Sequence, residues 1–337
     1  MVKNQRYEAI NGLKAIAIIG IVLMHVLTNG EYEMKGFVFE RLIPSFTNLV
    51  FLFMMVSGFG MCCGYYQKII DREISVEDFY KKRYAKIWPY FTLLCLMDLA
   101  VSPSKESLFE VFANLTLCQG LLPDVEISVI GVSWTLAVIF VFYIIFPFFV
   151  FLIGNKKRAL TVGMIALIFN WVCGNYFNVG RTNIVYDAIY FIGGGVVFLY
   201  RKELAEFASN HRLVVGIIWL ISIIAYFTWG GSTLTTLFFC VAALVYAIGA
   251  KEGILVNSIV KFLGGICFEI YLCHMVIYRV LEKLHFIQLV GNGLLAYVVV
   301  AVVVICGAVI FSVCAKWFLN KIEMFLKRNQ MRRINHV

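Results

Sequence analysis

Charged residues are scarce in this sequence. Asp, Glu, Lys and Arg together make up 15% of its 337 residues, against roughly 25% in soluble domains. Proline is also rare, with 5 residues, whereas hydrophobic residues make up 61% of the chain. A soluble enzyme of this size needs far more polar surface, and a disordered tail or a fibrous repeat has a different composition. The chain is therefore predicted to be an integral membrane protein.

The cysteines lack the spacing of a metal site or a redox motif. The chain has 10 cysteines, and no two of them form a C-x-x-C pair. Nearly all of them lie inside apolar segments. Neither a disulfide framework nor a zinc site is predicted, no metal ion is expected, and the cysteines are interpreted as small packing residues.

Long apolar segments predict an all-α polytopic membrane protein, because a spanning helix needs about 20 apolar residues. The predicted spans are ten: 10–28, 43–66, 84–101, 130–153, 159–178, 184–200, 212–229, 232–250, 262–284 and 293–319. The two spans that flank Gly230–Gly231 are also compatible with one broken helix. The stretch 104–123 is apolar but carries several polar residues, and we interpret it as an interfacial or partly buried segment.

Basic residues are concentrated in alternate loops. They follow spans 2, 4 and 6 and the last span, whereas the loops after spans 1 and 3 are acidic or nearly neutral. The positive-inside rule then places both termini in the cytoplasm, with the chain in the plasma or inner membrane. The formal net charge of +9 is accordingly interpreted as topology, and no nucleic-acid partner is expected.

The first span carries Lys14 and His25, which are eleven residues apart. At about 100° and 1.5 Å per residue they share one helix face and lie about 16 Å apart along the axis. Lys14 is also compatible with a side chain that reaches the cytoplasmic headgroups. An imidazole in an apolar helix needs a hydrogen bond or a titration role, so a functional role is favoured for His25.

The ninth span carries Glu269 and His274, five residues apart and therefore about 140° apart around a helix. The two side chains are not expected to face one narrow channel. The spacing leaves open which of them is catalytic and which is structural. An ion pair of Glu269 with Arg279 or Lys14 is the structural alternative.

A basic cluster begins the third span. Arg83 and Lys86 are three residues apart, so they share a helix face, and Lys81 and Lys82 precede them. Such a cluster suits phosphate groups, although ordinary positive-inside bias explains it as well. In the second span, Ser57–Gly58 is compatible with close helix packing or with a bend beside a ligand.

Taken together and in this order, these stretches resemble the membrane acyltransferase family 3. The matching features run along nearly the whole chain. The family's first span has a basic residue, ten further residues and a His, which here are Lys14 and His25, and its second span has a motif of the F-F-x-x-S-G-F type, which here is Phe51 to Phe59. The later matches are a basic pair followed by Pro and an aromatic residue, a Trp-led span that ends in Tyr and Pro, and a Y-L-x-H motif: Arg83 and Lys86 with Pro89–Tyr90; Trp134, Tyr143 and Pro147; and Tyr271–Leu272–Cys273–His274. Two positions depart from the family pattern. Lys86 stands where the family has a second arginine, and Ile139 stands where many members carry a glutamate.

The resemblance implies a single transmembrane acyltransferase domain over 1–337 that moves an acetyl group from cytoplasmic acetyl-CoA to a hydroxyl of an extracytoplasmic glycan. Lys14, Arg83 and Lys86 would hold the donor phosphates, and His25 would act as general base or as a transient acyl carrier. Ser57, Gly58 and Tyr271 are candidates for contacts with the donor. Membrane lipid is an expected partner. The sequence leaves open the acceptor and a homo-oligomeric state.

The alternative from another class is a proton-coupled transporter or flippase for a sugar or small metabolite, because such carriers also contain intramembrane Lys, His and Glu. The sequence shows no clear internal repeat and no matched pair of broken helices, which are typical of transporters. A structural or sensor protein would leave Lys14 and His25 without a role.

Overall fold

The computed structural model describes residues 7–121 and 127–334, and the regular structure within these ranges is helical, without strands. The helices are α1 (Ala9–Asn29), α2 (Val38–Ile70), α3 (Val76–Val101), α4 (Lys105–Thr116), α5 (Ser133–Leu152), α6 (Lys156–Tyr176), α7 (Ile184–Leu199), α8 (Arg201–Asn210), α9 (Arg212–Thr228), α10 (Thr233–Gly249), α11 (Ser258–Gly265), α12 (Cys267–Lys283), α13 (Phe286–Val290) and α14 (Leu294–Ile334).

Several helices begin at a residue whose side chain caps the first turn. A serine or asparagine oxygen accepts a hydrogen bond from a backbone N–H two or three residues later, which satisfies a donor that the helix itself leaves free. These caps are Ser75 of α3, Ser104 of α4, Asn155 of α6, Asn183 of α7, Ser232 of α10 and Asn257 of α11. The polar residues between apolar segments therefore fix where the helices start.

The helices agree with a polytopic membrane protein. Each of the ten predicted spans overlaps a helix or a bent pair of helices. Among the described residues, five helices are long and apolar enough to cross a membrane, and two bent pairs raise that number to as many as 7. One bent pair, α11 and α12, turns by 73°. The α9 and α10 helices are shorter apolar helices, so the count of ten spans stays a prediction.

The turn at Gly230 separates α9 from α10. Gly230 has a φ of +74°, a conformation that glycine adopts without strain. The two helices pack against each other, which favours two separate helices over one broken helix.

Close helix contacts hold the centre of the bundle together. A Cβ atom at Gly194 of α7 would lie 2.2 Å from the carbonyl oxygen of Met55 in α2. Likewise, a Cβ at Gly12 of α1 would lie 2.1 Å from the carbonyl oxygen of Leu255. Glycine allows these backbones to approach, as is typical of helix packing in membranes. The contacts fix α1 and α2, which carry much of the candidate site.

The segment interpreted as interfacial forms α4, which is largely exposed. Its buried Asn114 donates to the carbonyl of Val129 at 2.9 Å and accepts from Gln119 and from the hydroxyl of Ser133, both at 2.9 Å. Ser133 is the first residue of α5. This polar network therefore anchors the start of a helix that lines the site.

Candidate active site

A cavity of about 360 Å³ lies between α1, α2, α3, α5 and α12. It is lined by five of the residues predicted from the sequence to contact a donor: Lys14, Ser57, Arg83, Lys86 and Tyr271. These residues are far apart in the sequence and come from four different helices. The structure thus brings together side chains that the sequence analysis could only associate by resemblance.

One part of this cavity is strongly cationic. Arg83 donates from Nη2 to the hydroxyl of Tyr65 at 2.5 Å, and its guanidinium lies 4.7 Å from the centre of that ring. The Nε of Arg83 is buried and has no hydrogen-bond partner. Lys14 and Arg83 both act electrostatically on Lys86. No ion pair among the described residues includes any of the three, so their charge is available to an anion.

A π-helical turn carries the tyrosine that holds Arg83. Residues Cys62–Tyr66 of α2 form this turn, which widens the helix by one residue. Such turns are rare and often occur at functional sites. Tyr65 lies within it and lines the cavity. The turn therefore belongs to the local geometry that positions the guanidinium.

The remaining wall of the cavity is mainly apolar. Phe53 and Val56 of α2 and Leu136 and Ile139 of α5 line it. Ile139 occupies the position where many family members carry a glutamate, so this chain has an uncharged wall there. A slot with apolar sides and cations in one part suits a molecule with a phosphorylated end and a less polar arm.

Tyr271 connects this cavity to two histidines. Its hydroxyl donates to Thr135 Oγ1 at 2.8 Å, and both residues line the cavity. The ring of Tyr271 lies 5.9 Å from the ring of His274, and His274 lies 5.2 Å from His25, measured between ring centres. The two histidines predicted as catalytic candidates are therefore neighbours, although they come from the first and the ninth predicted spans.

The hydrogen bonds of His274 define its tautomer. Its Nδ1 lies 2.7 Å from the carbonyl oxygen of Tyr271, which can only accept, so Nδ1 carries the proton. In a neutral imidazole, Nε2 then has a free lone pair. That Nε2 is buried without a hydrogen-bond partner, and His274 is 0% exposed. Nε2 is therefore the nitrogen of His274 that is able to accept a hydrogen bond from a neighbouring group such as His25.

Glu269 has a different partner. Its carboxylate forms an ion pair of 2.9 Å with Lys316 of α14. Arg279, in turn, lies 3.7 Å from Asp98. The expected pairing of Glu269 with Arg279 or Lys14 is thus wrong in the identity of the partner, because α14 supplies the nearer cation.

Gly58 lies beside Ser57 but serves the contact between α2 and α7. A Cβ at this position would lie 2.5 Å from the carbonyl oxygen of Phe191. Packing is therefore the role that the structure shows for Gly58, whereas Ser57 faces the cavity.

Two charged residues near the histidines were not found from the sequence. Arg181 acts electrostatically on His25, and Asp187 of α7 acts on Arg181. Sequence features mark both residues as candidates for a functional site. Arg181 is a cation in a loop predicted to be extracytoplasmic, and Asp187 is an ionisable residue inside a predicted span.

A family model for an acyltransferase domain matches residues 7–313 of the chain. The chain belongs to acyltransferase family 3. No curated protein and no solved structure matches it. In this family 3 acyltransferase, the motifs that carry the resemblance converge on one cavity and on one histidine pair, which gives the family assignment a physical location in the bundle.

Proposed function

We propose that this acyltransferase is a membrane O-acyltransferase that moves an acetyl group from cytoplasmic acetyl-CoA to a hydroxyl of an extracytoplasmic carbohydrate, such as a cell-envelope polysaccharide. The observation that carries the proposal is the cavity itself. It holds three cations without ion-pair partners and continues along an apolar wall to Tyr271, beside His25 and His274.

The cationic part of the cavity fits the phosphates of a coenzyme A thioester. The orphaned Nε of Arg83 and the ammonium groups of Lys14 and Lys86 are donors to phosphate oxygens. The apolar wall accommodates the pantetheine arm, which has to cover the roughly 16 Å rise between Lys14 and His25. The thioester would then lie near the histidine pair.

His25 is the proposed general base. The oxygen of the acceptor hydroxyl attacks the thioester carbonyl carbon while its proton passes to His25. The C–S bond then breaks, and the leaving thiolate takes the proton back from His25. In the variant, the unprotonated nitrogen of His25 attacks the carbonyl carbon, and the C–S bond breaks to release the thiolate. The acceptor hydroxyl then displaces the acetyl group from His25, and its proton passes to the thiolate.

The buried Nε2 of His274 is proposed to accept a hydrogen bond from the ring N–H of His25. This bond would leave the other nitrogen of His25 unprotonated and fix its direction, which a general base and a nucleophile both require. His274 is then a positioning residue, and His25 is the group that touches the substrates.

The test uses purified protein in proteoliposomes, supplied with radiolabelled acetyl-CoA and with the glycan fraction extracted from membranes of the expressing cells. We expect labelled glycan from the wild type and none from His25→Ala. His211→Ala is the matched control, because His211 is exposed and lies in a different part of the bundle.

Retained acetyl transfer by a well-folded His25→Ala variant would contradict the proposed role of His25. Labelled acetyl-CoA that is transported but never transferred would favour a carrier and contradict the proposed function.

A further inference from the structure

A second cavity has a volume of about 470 Å³. Three helices contribute side chains to its lining, namely Asn48 of α2, Tyr186 and Tyr190 of α7, and Thr236 of α10. The loop between α6 and α7 contributes Arg181. The loops around it, between α6 and α7 and between α9 and α10, are those that the positive-inside rule predicts to be extracytoplasmic. We name it the Arg181 cavity.

Arg181 is the charged group of this cavity and is held in place on two sides. Its Nη1 donates to the hydroxyl of Thr47 at 2.8 Å, and its guanidinium lies 4.8 Å from the centre of the Trp134 ring. Among the described residues, no ion pair includes Arg181. A half-buried guanidinium with remaining donors is suited to oxygen atoms of a ligand.

Asp187 of α7 is a buried carboxyl group within electrostatic reach of Arg181. The carboxylate is 0% exposed, and neither oxygen has a hydrogen-bond partner. It interacts electrostatically with Arg181 without forming an ion pair. Burial of an unpaired carboxylate is costly, so Asp187 does not offset the charge of Arg181. The guanidinium remains a cationic donor to hydroxyl or carboxylate oxygens of a ligand.

The Arg181 cavity adjoins the proposed reaction centre. The charge of Arg181 acts on His25 and also on Tyr271. Trp134, on which the guanidinium lies, is one residue before Thr135, the partner of the Tyr271 hydroxyl. The guanidinium that lines this cavity therefore acts on both groups of the proposed reaction centre, and the cavity shares no lining residue with the cationic donor cavity.

The remaining lining combines aromatic rings with hydroxyl and amide groups. The rings of Phe51 and Tyr190 stack with their centres 4.4 Å apart, and Asn48 donates to the hydroxyl of Tyr226 at 2.5 Å. Rings with a few placed polar groups are typical of small-molecule sites. An adjacent cavity of about 600 Å³ shares Tyr186 and Thr233 with the Arg181 cavity and extends along α6. The two cavities together give room for more than one sugar unit.

We propose that the Arg181 cavity binds a sugar residue of the acceptor, with Arg181 and Asn48 donating hydrogen bonds to its hydroxyl or carboxylate oxygens and the reacting hydroxyl directed at His25. This inference rests on the proposed function and adds the acceptor site to it. Arg181 is a binding residue for the acceptor, in contrast to Arg83, which serves the donor.

The first test compares Arg181→Gln with Arg41→Gln. Arg41 is exposed and lies on the same predicted side of the membrane, so it is a matched control. In proteoliposomes with labelled acetyl-CoA and increasing glycan fraction, Arg181→Gln should raise the acceptor KM by roughly tenfold or more, since it loses a charge-assisted hydrogen bond. The KM for acetyl-CoA should not change. An unchanged acceptor KM, or an equal rise in both KM values, would overturn the inference.

The second test measures binding without catalysis. Val179→Cys should react with a membrane-impermeant thiol reagent, because Val179 lines the cavity and is given no role in binding. The glycan fraction should protect this cysteine, and the wild-type chain serves as the background for labelling at this position. Separate free and lipid-linked glycan fractions show which source is bound. Labelling that neither fraction prevents would contradict a sugar site.

The two tests separate the inference from the function on which it rests. If the glycan fraction protects Val179→Cys but the wild type transfers no acetyl group, the proposed reaction fails and the sugar site stands. If the wild type transfers acetyl groups without any protection or any effect of Arg181→Gln, the reaction stands and the sugar site fails.

Discussion

His25 and His274 face each other with ring centres 5.2 Å apart and an angle of 44° between the ring planes. The Nδ1–H of His274 is committed to the carbonyl of Tyr271, which leaves Nε2 as its acceptor. A base whose orientation depends on this acceptor loses turnover when the acceptor is removed, without a comparable loss of substrate binding.

Substitution of His274 should therefore separate kcat from KM. We expect His274→Phe to lower kcat roughly 100-fold, because a misdirected base costs that much, with little change in either KM. His274→Gln should restore part of kcat, since its side-chain oxygen can accept a hydrogen bond where Nε2 does. Steady-state kinetics of folded variants checks this, and equal activities of the two variants would contradict the positioning role.

Substitution in the cationic cavity should act on the donor. Lys86→Ala is expected to raise the KM for acetyl-CoA by roughly 10- to 100-fold, the effect of losing a hydrogen bond to a charged group. The KM for the glycan should not change. Lys82→Ala is the matched control, because Lys82 is exposed in the same helix and does not line the cavity. An effect confined to the glycan KM would contradict the location of the donor.

A substitution of Arg83 by lysine separates the effect of the planar guanidinium from the effect of its charge. Arg83→Lys keeps the charge but loses the planar group that lies over Tyr65 and donates to its hydroxyl. We expect a weaker affinity for acetyl-CoA than in the wild type, measured by displacement of labelled acetyl-CoA from the purified protein. Affinity equal to the wild type would mean that the charge alone is sufficient.

Glycine at the contact between α2 and α7 should be required for stability. Gly194→Ala places a Cβ 2.2 Å from the Met55 carbonyl oxygen, and such overpacking costs roughly 1–3 kcal/mol. Gly64→Ala in α2 is the control, because no atom lies within 4 Å of its added Cβ. Thermal unfolding in detergent should show a lower midpoint for Gly194→Ala alone. Equal midpoints would show that the helices separate without cost.

The ion pair of Glu269 with Lys316 distinguishes a structural from a catalytic carboxylate. Glu269→Gln should lower the free energy of unfolding by roughly 1–3 kcal/mol, because it leaves a partly buried ammonium unpaired. The double variant Glu269→Gln/Lys316→Met should recover part of that loss. A stable Glu269→Gln protein with no turnover would instead assign Glu269 to the reaction.

The helical class follows from hydropathy, and each predicted span overlaps a helix or a bent pair of helices. The number of membrane crossings stays a prediction. The meeting of His25 with His274 could not be predicted, because hydropathy gives no information on which helices are neighbours. The helix angle did predict that Glu269 and His274 would diverge, and they do have separate partners. Lys316 was not predicted as the partner because it lies near the end of the predicted span 293–319, close to basic residues that were attributed to topology.

The charge rules gave a partial view of the site. The number of basic residues in each loop predicts which side of the membrane the loop is on. The same count gives no weight to a single basic residue in a loop on the opposite side. Arg181 is such an exception, and its position beside His25 depends on the turn between α6 and α7, which no periodicity predicts.

The separation of Lys14 and His25 along one uninterrupted helix has a consequence for substrate choice. In the proposed reaction, this helix would keep a nearly constant distance between the residue that anchors the donor and the residue at which the donor reacts. A thioester with a short arm, such as acetyl-N-acetylcysteamine, would reach only one of these two points. Discrimination among donors would then depend on the length of the arm as much as on the acyl group that it carries.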